Sequence, residues 1–305
     1  MERFKPFAVT EPSRWLKPTW QAASSILLPQ ARAVPALGRI GALEVRLAGT
    51  RKEIKRAQKL RYKVFYRDGH AIADAATMLA RRDKDAFDKI CDHLLVIDHD
   101  AMHPVKAHLR RKPPVVGTYR LLPQEAAEQH GGFYTENEFD IAGLVERHQG
   151  LRFLELGRSC VLPRYRNKRT VELLWHGVWS YVRQNKFDVM IGCASLEGTD
   201  PDRLALPLSF LHHFARAPED WRATAQPHRR VEMNRLSKDA IDPKTALREL
   251  PPLIKGYLRL GAFVGDGAVI DHQFGTTDIL IILPVSAISS RYIEHFGADA
   301  TRHAA

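Results

Sequence analysis

FLELGRSCVLPRYRNKRT, Phe153 to Thr170, joins an apolar, strand-like stretch to a basic turn and then to the start of a helix. Phe153, Leu154, Leu156, Cys160, Val161 and Leu162 supply the strand. Glu155 and Arg158 sit inside it, and charges in a core strand must be paired or functional. After Pro163 come Arg164, Arg166, Lys168 and Arg169, and then Val171, Leu174, Trp175, Val178 and Val182 at helical spacing. A basic turn therefore opens a buried helix, whose N-terminus offers free N–H groups and partial positive charge to a phosphate. A solvated basic loop is the competing reading, because no glycine-rich phosphate loop accompanies the turn.

Outward from this segment, LEVRLA from Leu43 alternates as a strand. Arg51 to Tyr66 places Ile54, Ala57, Leu60, Arg61, Val64 and Phe65 along one side of a helix, with Arg61 a charge on the apolar side. A polar stretch with Asp83, Asp85 and Asp88 precedes two strands, HLLVID from His93 and PVVGTYRLL from Pro114. Gly132 to Asp140 reads as a loop, Phe187 to Ser195 as a buried strand and Leu204 to Ala215 as a helix. Pro218 to Lys244 is polar and reads as an excursion from the core. Pro251 and Pro252 open a helix over LIKGYLRL that Gly261 ends, and Asp278 to Leu283 is the last strand. Hairpin-length and crossover-length links both occur, so the expected fold is α/β. It has a mixed central sheet flanked by helices, with a helical insertion around residues 201–250. The domain spans residues 43–296, between an arm of residues 1–42 and a tail of residues 297–305.

The 305 residues are 45% hydrophobic, enough to bury a core. A net charge of +11 implies an acidic partner. The basic residues are dispersed and match no nucleic-acid-binding signature, which argues against nucleic acid. Cys91, Cys160 and Cys193 lack CxxC spacing, pointing to a reducing compartment, the cytoplasm. The longest apolar run, Ile279 to Val285, is too short to cross a bilayer, and the N-terminus has no signal-peptide pattern. Trp15, Lys17, Trp20, Ile26, Leu27 and Leu28 suit a membrane interface or a loosely docked arm.

Five blocks in order carry a resemblance: RYKVFY (Arg61 to Tyr66), VVGTYRLLP (Val115 to Pro123), LELGRSCVLPRYR (Leu154 to Arg166), GCASLEGTD (Gly192 to Asp200) and KGYLRLGAFVGDGAVID (Lys255 to Asp271). Together they resemble the GNAT-fold N-acyltransferases of ornithine-lipid synthesis, the L-ornithine Nα-acyltransferase branch. The resemblance implies a GNAT-like sheet and transfer of a 3-hydroxyacyl chain from acyl carrier protein to the α-amine of L-ornithine, forming lyso-ornithine lipid. It implies no resident cofactor, since the phosphopantetheine belongs to the donor. The chain is also similar to acyl-homoserine-lactone synthases, in which Arg61, Phe65, Asp85, Asp88, Arg120, Glu155 and Arg158 match active-site positions. It lacks their Trp-rich segment after the first helix and carries the KGYLRLGAFVGDG block instead.

Amide formation from a thioester needs a deprotonated amine, a polarised carbonyl and an anchor for the carrier phosphate. Glu155 is the expected base, with burial raising its pKa and Arg158 opposing that rise, or else the two form a structural ion pair. Arg164, Arg166, Lys168, Arg169 and Thr170 are expected to meet the phosphopantetheine and the acidic carrier. Asp85 and Asp88 either hold ornithine's δ-amine or pair with Arg61 and Arg120, and pairing is favoured. Cys160 and Cys193 read as buried residues without a flanking base rather than acyl acceptors. His212 and His213 are adjacent on a helix and face apart, and no metal is expected. An amphiphilic product and a basic surface suit the anionic inner face of the cell membrane. The rival readings are transfer to another amino acid, lactone synthesis and a non-catalytic carrier-binding module.

Overall fold

The computed structural model describes residues 34–101 and 112–289. The arm residues Trp15 and Trp20 and the 297–305 tail lie outside the described residues.

Nine strands form one sheet: β1 (Ala36–Ile40), β2 (Leu43–Leu47), β3 (Asp92–Asp98), β4 (Val115–Pro123), β5 (Phe153–Val161), β6 (Val189–Glu197), β7 (Arg230–Val231), β8 (Phe263–Asp271) and β9 (Thr276–Pro284). Their order is β1-β2-β3-β4-β5-β6-β9-β8-β7. Among the described strand pairs only β5 and β6 run parallel, and the 18-residue helix between them, α5 (Lys168–Asn185), is the crossover that such a pair requires. The remaining helices are α1 (Arg51–Tyr62), α2 (Ala75–Ala80), α3 (Gln124–Glu128), α4 (Ile141–Arg147), α6 (Ala205–Phe214), α7 (Pro243–Glu249) and α8 (Pro252–Arg259). None among the described residues is long and apolar enough to cross a membrane.

β4 is buried from Val115 to Leu122, with no alternation, because it lies at the centre of the sheet and both α1 and α5 pack against it. Thr50 caps α1 by accepting the Glu53 N–H, and the helix runs into a π-helical turn, Lys63–Arg67, which extends its apolar face to Phe65. The sheet begins earlier than the sequence reading placed it. Ala36–Ile40, assigned to the arm, pairs with β2, and its short, glycine-interrupted pattern does not announce a strand.

Two features of β5 and β6 open a cleft in the sheet. Their ladder extends only from the Phe153–Val189 pair to the Glu155–Ile191 pair. Just beyond the last pair, a Cβ at Gly192 would collide with the Leu156 carbonyl, so the two backbones still touch there as the ladder ends. On its other side β5 carries an extra residue opposite Thr118–Arg120 of β4, and Arg158 sits in that bulge with φ 51°. A non-glycine residue held in this region costs on the order of 1 kcal/mol, and such strain concentrates at functional sites.

The 201–250 stretch is less helical than expected. It contains α6 and α7, but it also supplies the edge strand β7, and Thr224 bridges to Asp266 of β8. β8 went unrecognised because Gly265 and Gly267 interrupt its apolar pattern. Gly265 is required, since a Cβ there would lie 2.9 Å from the Ala223 carbonyl oxygen of this packed stretch.

Candidate active site

Arg61 is fully buried on the inner face of α1, and two of its guanidinium nitrogens are held by acids from the loop before β3. Nε donates to Asp83 Oδ2 at 2.6 Å, and Nη2 donates to Asp88 Oδ1 at 2.7 Å. Arg120 of β4 donates from Nη1 to both Asp85 oxygens at 2.7 Å. Burial works against the Asp85 charge, but Arg120 and then Arg158 hold its pKa below the ordinary carboxylate value. Asp85 and Asp88 also cap the short turn Ala86–Lys89 reciprocally. Pairing with arginine, the favoured expectation, is how both aspartates are held in this structure. Asp83, the second partner of Arg61, is the member that the sequence reading left without a role.

Arg158 is held differently. Its guanidinium lies between the rings of Tyr134 and Phe274, 4.8 and 4.7 Å from their centroids. Its polar contacts are long: 3.3 Å to the Tyr134 hydroxyl, 3.5 Å to Asp83 and 3.6 Å to Asp85. Burial lowers its pKa, but Tyr134, Asp83 and Asp85 outweigh that and keep it cationic. Its buried Nε finds no hydrogen-bond partner, so it retains donor capacity for an incoming anion. Phe65 meets Phe274 edge-on at 5.6 Å, closing this wall of the site.

Glu155 does not pair with Arg158. Successive side chains of a strand point to opposite faces, and the bulge at Arg158 re-aims the rest of β5. The Glu155 carboxylate accepts three hydrogen bonds from one turn: Tyr134 N at 2.8 Å, Thr135 N at 3.1 Å and the Thr135 hydroxyl at 2.6 Å. Desolvation raises its pKa, opposed by these donors and by Arg120. Phe133 and Phe139, both buried, anchor the same turn at its ends, and the turn presents Tyr134 to Arg158.

A carboxyl group that sequence reasoning passed over lies at the end of this turn. Glu138 is 4% exposed, and its backbone carbonyl accepts from Gln226 N at 2.7 Å. Its Oε2 accepts from Cys193 Sγ at 3.1 Å, and Arg229 Nη2 stands 3.5 Å from Oε1. Burial, and next the charge of Asp278, push the Glu138 pKa up to about 7. Asp278 of β9 is itself raised by burial, and carboxyl oxygens of Glu138, Asp271 and Asp278 lie within 4.8 Å of one another. Beyond Cys193 the same face of β6 is open, with Ser195 and Glu197 exposed. Cys193 thus does have a carboxylate beside it, contrary to the sequence reading. Burial and Glu138 raise its pKa well above the ordinary thiol value, so it serves as a donor rather than a thiolate. Burial likewise lifts Cys160 to about 12.

The basic turn lies after β5. Arg164, Arg166, Lys168 and Arg169 are exposed around the first turn of α5. Arg166 donates to the Val161 carbonyl at 3.1 Å, and Lys168 approaches Glu172 at 3.6 Å. Among the described residues no carboxylate pairs with Arg164 or Arg169. Thr170 is fully buried and hydrogen-bonds through its hydroxyl to Asn167, the N-cap of α5, so its side chain belongs to the helix start rather than to an open anion site.

The chain matches the acetyltransferase (GNAT) domain model over residues 60–176, from the last turn of α1 to the middle of α5. It is 54% identical over 266 residues to the L-ornithine N(alpha)-acyltransferase of Brucella abortus (strain 2308), covering 87% of this chain and 92% of that protein. The chain belongs to the L-ornithine N(alpha)-acyltransferase family. The Rhizobium meliloti (strain 1021) member is 50% identical over 282 residues, covering 92% of this chain and 93% of its own length. Among solved structures, an N-acyl amino acid synthase from uncultured soil microbes matches at 10% identity and a TM-score of 0.42, over 80% of this chain and 91% of that one. In this family member, Arg120, Glu155 and Arg158 come from β4 and β5, the strands on one side of the gap, and Cys193, which bonds Glu138, comes from β6 on the other.

Proposed function

We propose that this chain moves a 3-hydroxyacyl group from the phosphopantetheine thiol of acyl carrier protein to the α-amine of L-ornithine, forming lyso-ornithine lipid. The observation that carries the reading is the cleft itself. Arg158, whose buried Nε has no hydrogen-bond partner, lies near enough to act electrostatically on Asp278 of the three-carboxyl cluster, and an amino acid with a cationic side chain brings a carboxylate for the one and an ammonium for the other. Arg158 receives the α-carboxylate. Asp271 and Asp278 take the δ-ammonium, and Glu138 accepts the proton that the α-ammonium must lose before attack. The nitrogen then bonds to the thioester carbon, the carbon–sulfur bond breaks, and the proton that the nitrogen gives up on becoming an amide passes to the departing phosphopantetheine thiolate. Glu155, read from the sequence as the base, has both oxygens engaged. We assign it to holding Tyr134 and Thr135 in place beneath Arg158.

The carrier docks at Arg164, Arg166, Lys168 and Arg169, where backbone N–H groups at the start of α5 add to the positive field. The enzyme works in the cytoplasm at the inner face of the cell membrane, where anionic lipid attracts a basic protein. The test is to supply 3-hydroxyacyl carrier protein and labelled ornithine, then locate the acyl group by fragment masses. Acylation at the α-nitrogen with matching thiol release supports the reading. Acylation at the δ-nitrogen, or thiol release that does not respond to ornithine, overturns it.

A further inference from the structure

We infer that α2 and its flanks form a docking surface for an anionic lipid bilayer at the mouth of the acyl-transfer cleft. The helix is six residues long, AATMLA, and buries none of them. Leu79 is 90% exposed, Ile72 69% and Met78 59%. A helix this short has little stability of its own in water, and a cluster of large apolar side chains held out to solvent marks an interaction site. The helix is nonetheless built. Asp74 caps it by accepting Thr77 N at 2.7 Å, and Arg81 ends it with φ 48°.

Charge complementarity selects the occupant. Arg67, Arg81 and Lys84 are exposed around the apolar tip. The acids on the same stretch are engaged: Asp68 with Arg67 at 2.9 Å, Asp74 in the cap and Asp83 with Arg61. An apolar tip beside exposed basic residues, of which Arg81 and Lys84 have no acid paired with them among the described residues, is the pattern of an interfacial element on anionic lipid. The position fits as well. Ile72 N donates to the Gln273 carbonyl at 2.7 Å, and the next residue, Phe274, packs on Arg158 and Phe65. The tip thus stands at the rim of the site, where a newly acylated product, whose chain is costly to expose to water, would enter lipid directly. This argument rests in part on the lipid product proposed above.

The experiment uses the full chain with vesicles of phosphatidylcholine, with and without phosphatidylglycerol, and measures the bound fraction by flotation. The wild type is expected to bind the anionic vesicles. Met78→Gln with Leu79→Gln should weaken that binding by at least about tenfold. Arg81→Gln with Lys84→Gln should weaken it on anionic vesicles alone. Far-UV circular dichroism, and thiol release from soluble acyl carrier protein without vesicles, should match the wild type in both variants. Equal binding by the Met78→Gln, Leu79→Gln variant, or no binding by the wild type, overturns the inference. So does a wild-type dimer that this variant dissociates, which makes the face a contact between copies, or a loss of carrier kcat/KM, which makes it a carrier contact. The flotation arms contain no substrate. Failure of acyl transfer in the wild type would therefore sink the proposed function while leaving the lipid result legible.

Discussion

Replacing Glu138 with Gln keeps the shape of the side chain and removes the ionisable group. Moving a carboxyl from its ordinary 4.5 to about 7 by burial corresponds to about 3 kcal/mol between its two protonation states. Because the folded pKa is raised, the stability linked to the protonated group is fully present below the unfolded value and lost as pH rises through about 7. The wild type should therefore weaken over that window, and the Glu138→Gln protein should not. Arg229 offsets little, because its guanidinium is about a third exposed and 3.5 Å away. Urea unfolding at about pH 5 and about pH 8.5 should thus show the variant's relative stability rising by about 2 kcal/mol between the two. Activity should move the other way. Loss of the proton acceptor should lower kcat by about a hundredfold or more and abolish the acid limb near pH 7 that the wild type is expected to show. A stability difference independent of pH, or a retained acid limb, would refute the role given to Glu138.

Glu155→Gln turns a carboxylate with three donors into an amide that can accept from only some of them, and should cost about 1–3 kcal/mol in urea unfolding. It should lower kcat while leaving the acid limb where it is, and loss of that limb would return the base to Glu155. Arg158→Lys keeps the charge but not the planar fork between Tyr134 and Phe274. It should raise the KM for ornithine by about tenfold or more in steady-state assays, with little change in the KM for acyl carrier protein. Arg164→Ala with Arg169→Ala should raise the KM for acyl carrier protein and flatten its salt dependence, with the ornithine KM unchanged.

How far the site could be read in advance depends on how local its reasons are. Arg61 on an apolar helix face and Arg120 in a buried strand each demanded an acid, and Asp88 and Asp85 supply them because three nearby aspartates precede the neighbouring strand. The partner of Glu155 was not legible. The donors are two backbone N–H groups and the Thr135 hydroxyl of a turn about twenty residues upstream, and a bulge at Arg158 decides that the two charges of the strand part company. Thr170 illustrates a local signal misread: Asn167 three residues earlier is a helix N-cap, which claims the hydroxyl. Glu138 was hidden in a polar loop whose burial comes from the segment around Gln226. Asp278 could have been flagged, since it begins an apolar strand and raises the same question as Glu155. The strands β1 and β8 escaped because glycines break their alternation, while the strand–helix–strand order around α5 stood out from its apolar spacing.

The central claim is that the carboxyls beside the cleft read a cationic side chain, and the measurement that meets it most directly is kcat/KM for ornithine against norvaline, which has the same carbon chain without the terminal amine. With 3-hydroxyacyl carrier protein as donor, the wild type should favour ornithine by about a thousandfold or more, since buried carboxyls left unpaired reject the neutral analogue. Asp278→Asn should reduce that ratio by about tenfold or more, chiefly by losing ornithine rather than gaining norvaline. Comparable rates on the two amino acids in the wild type, or an unchanged ratio in the Asp278→Asn protein, would contradict the account.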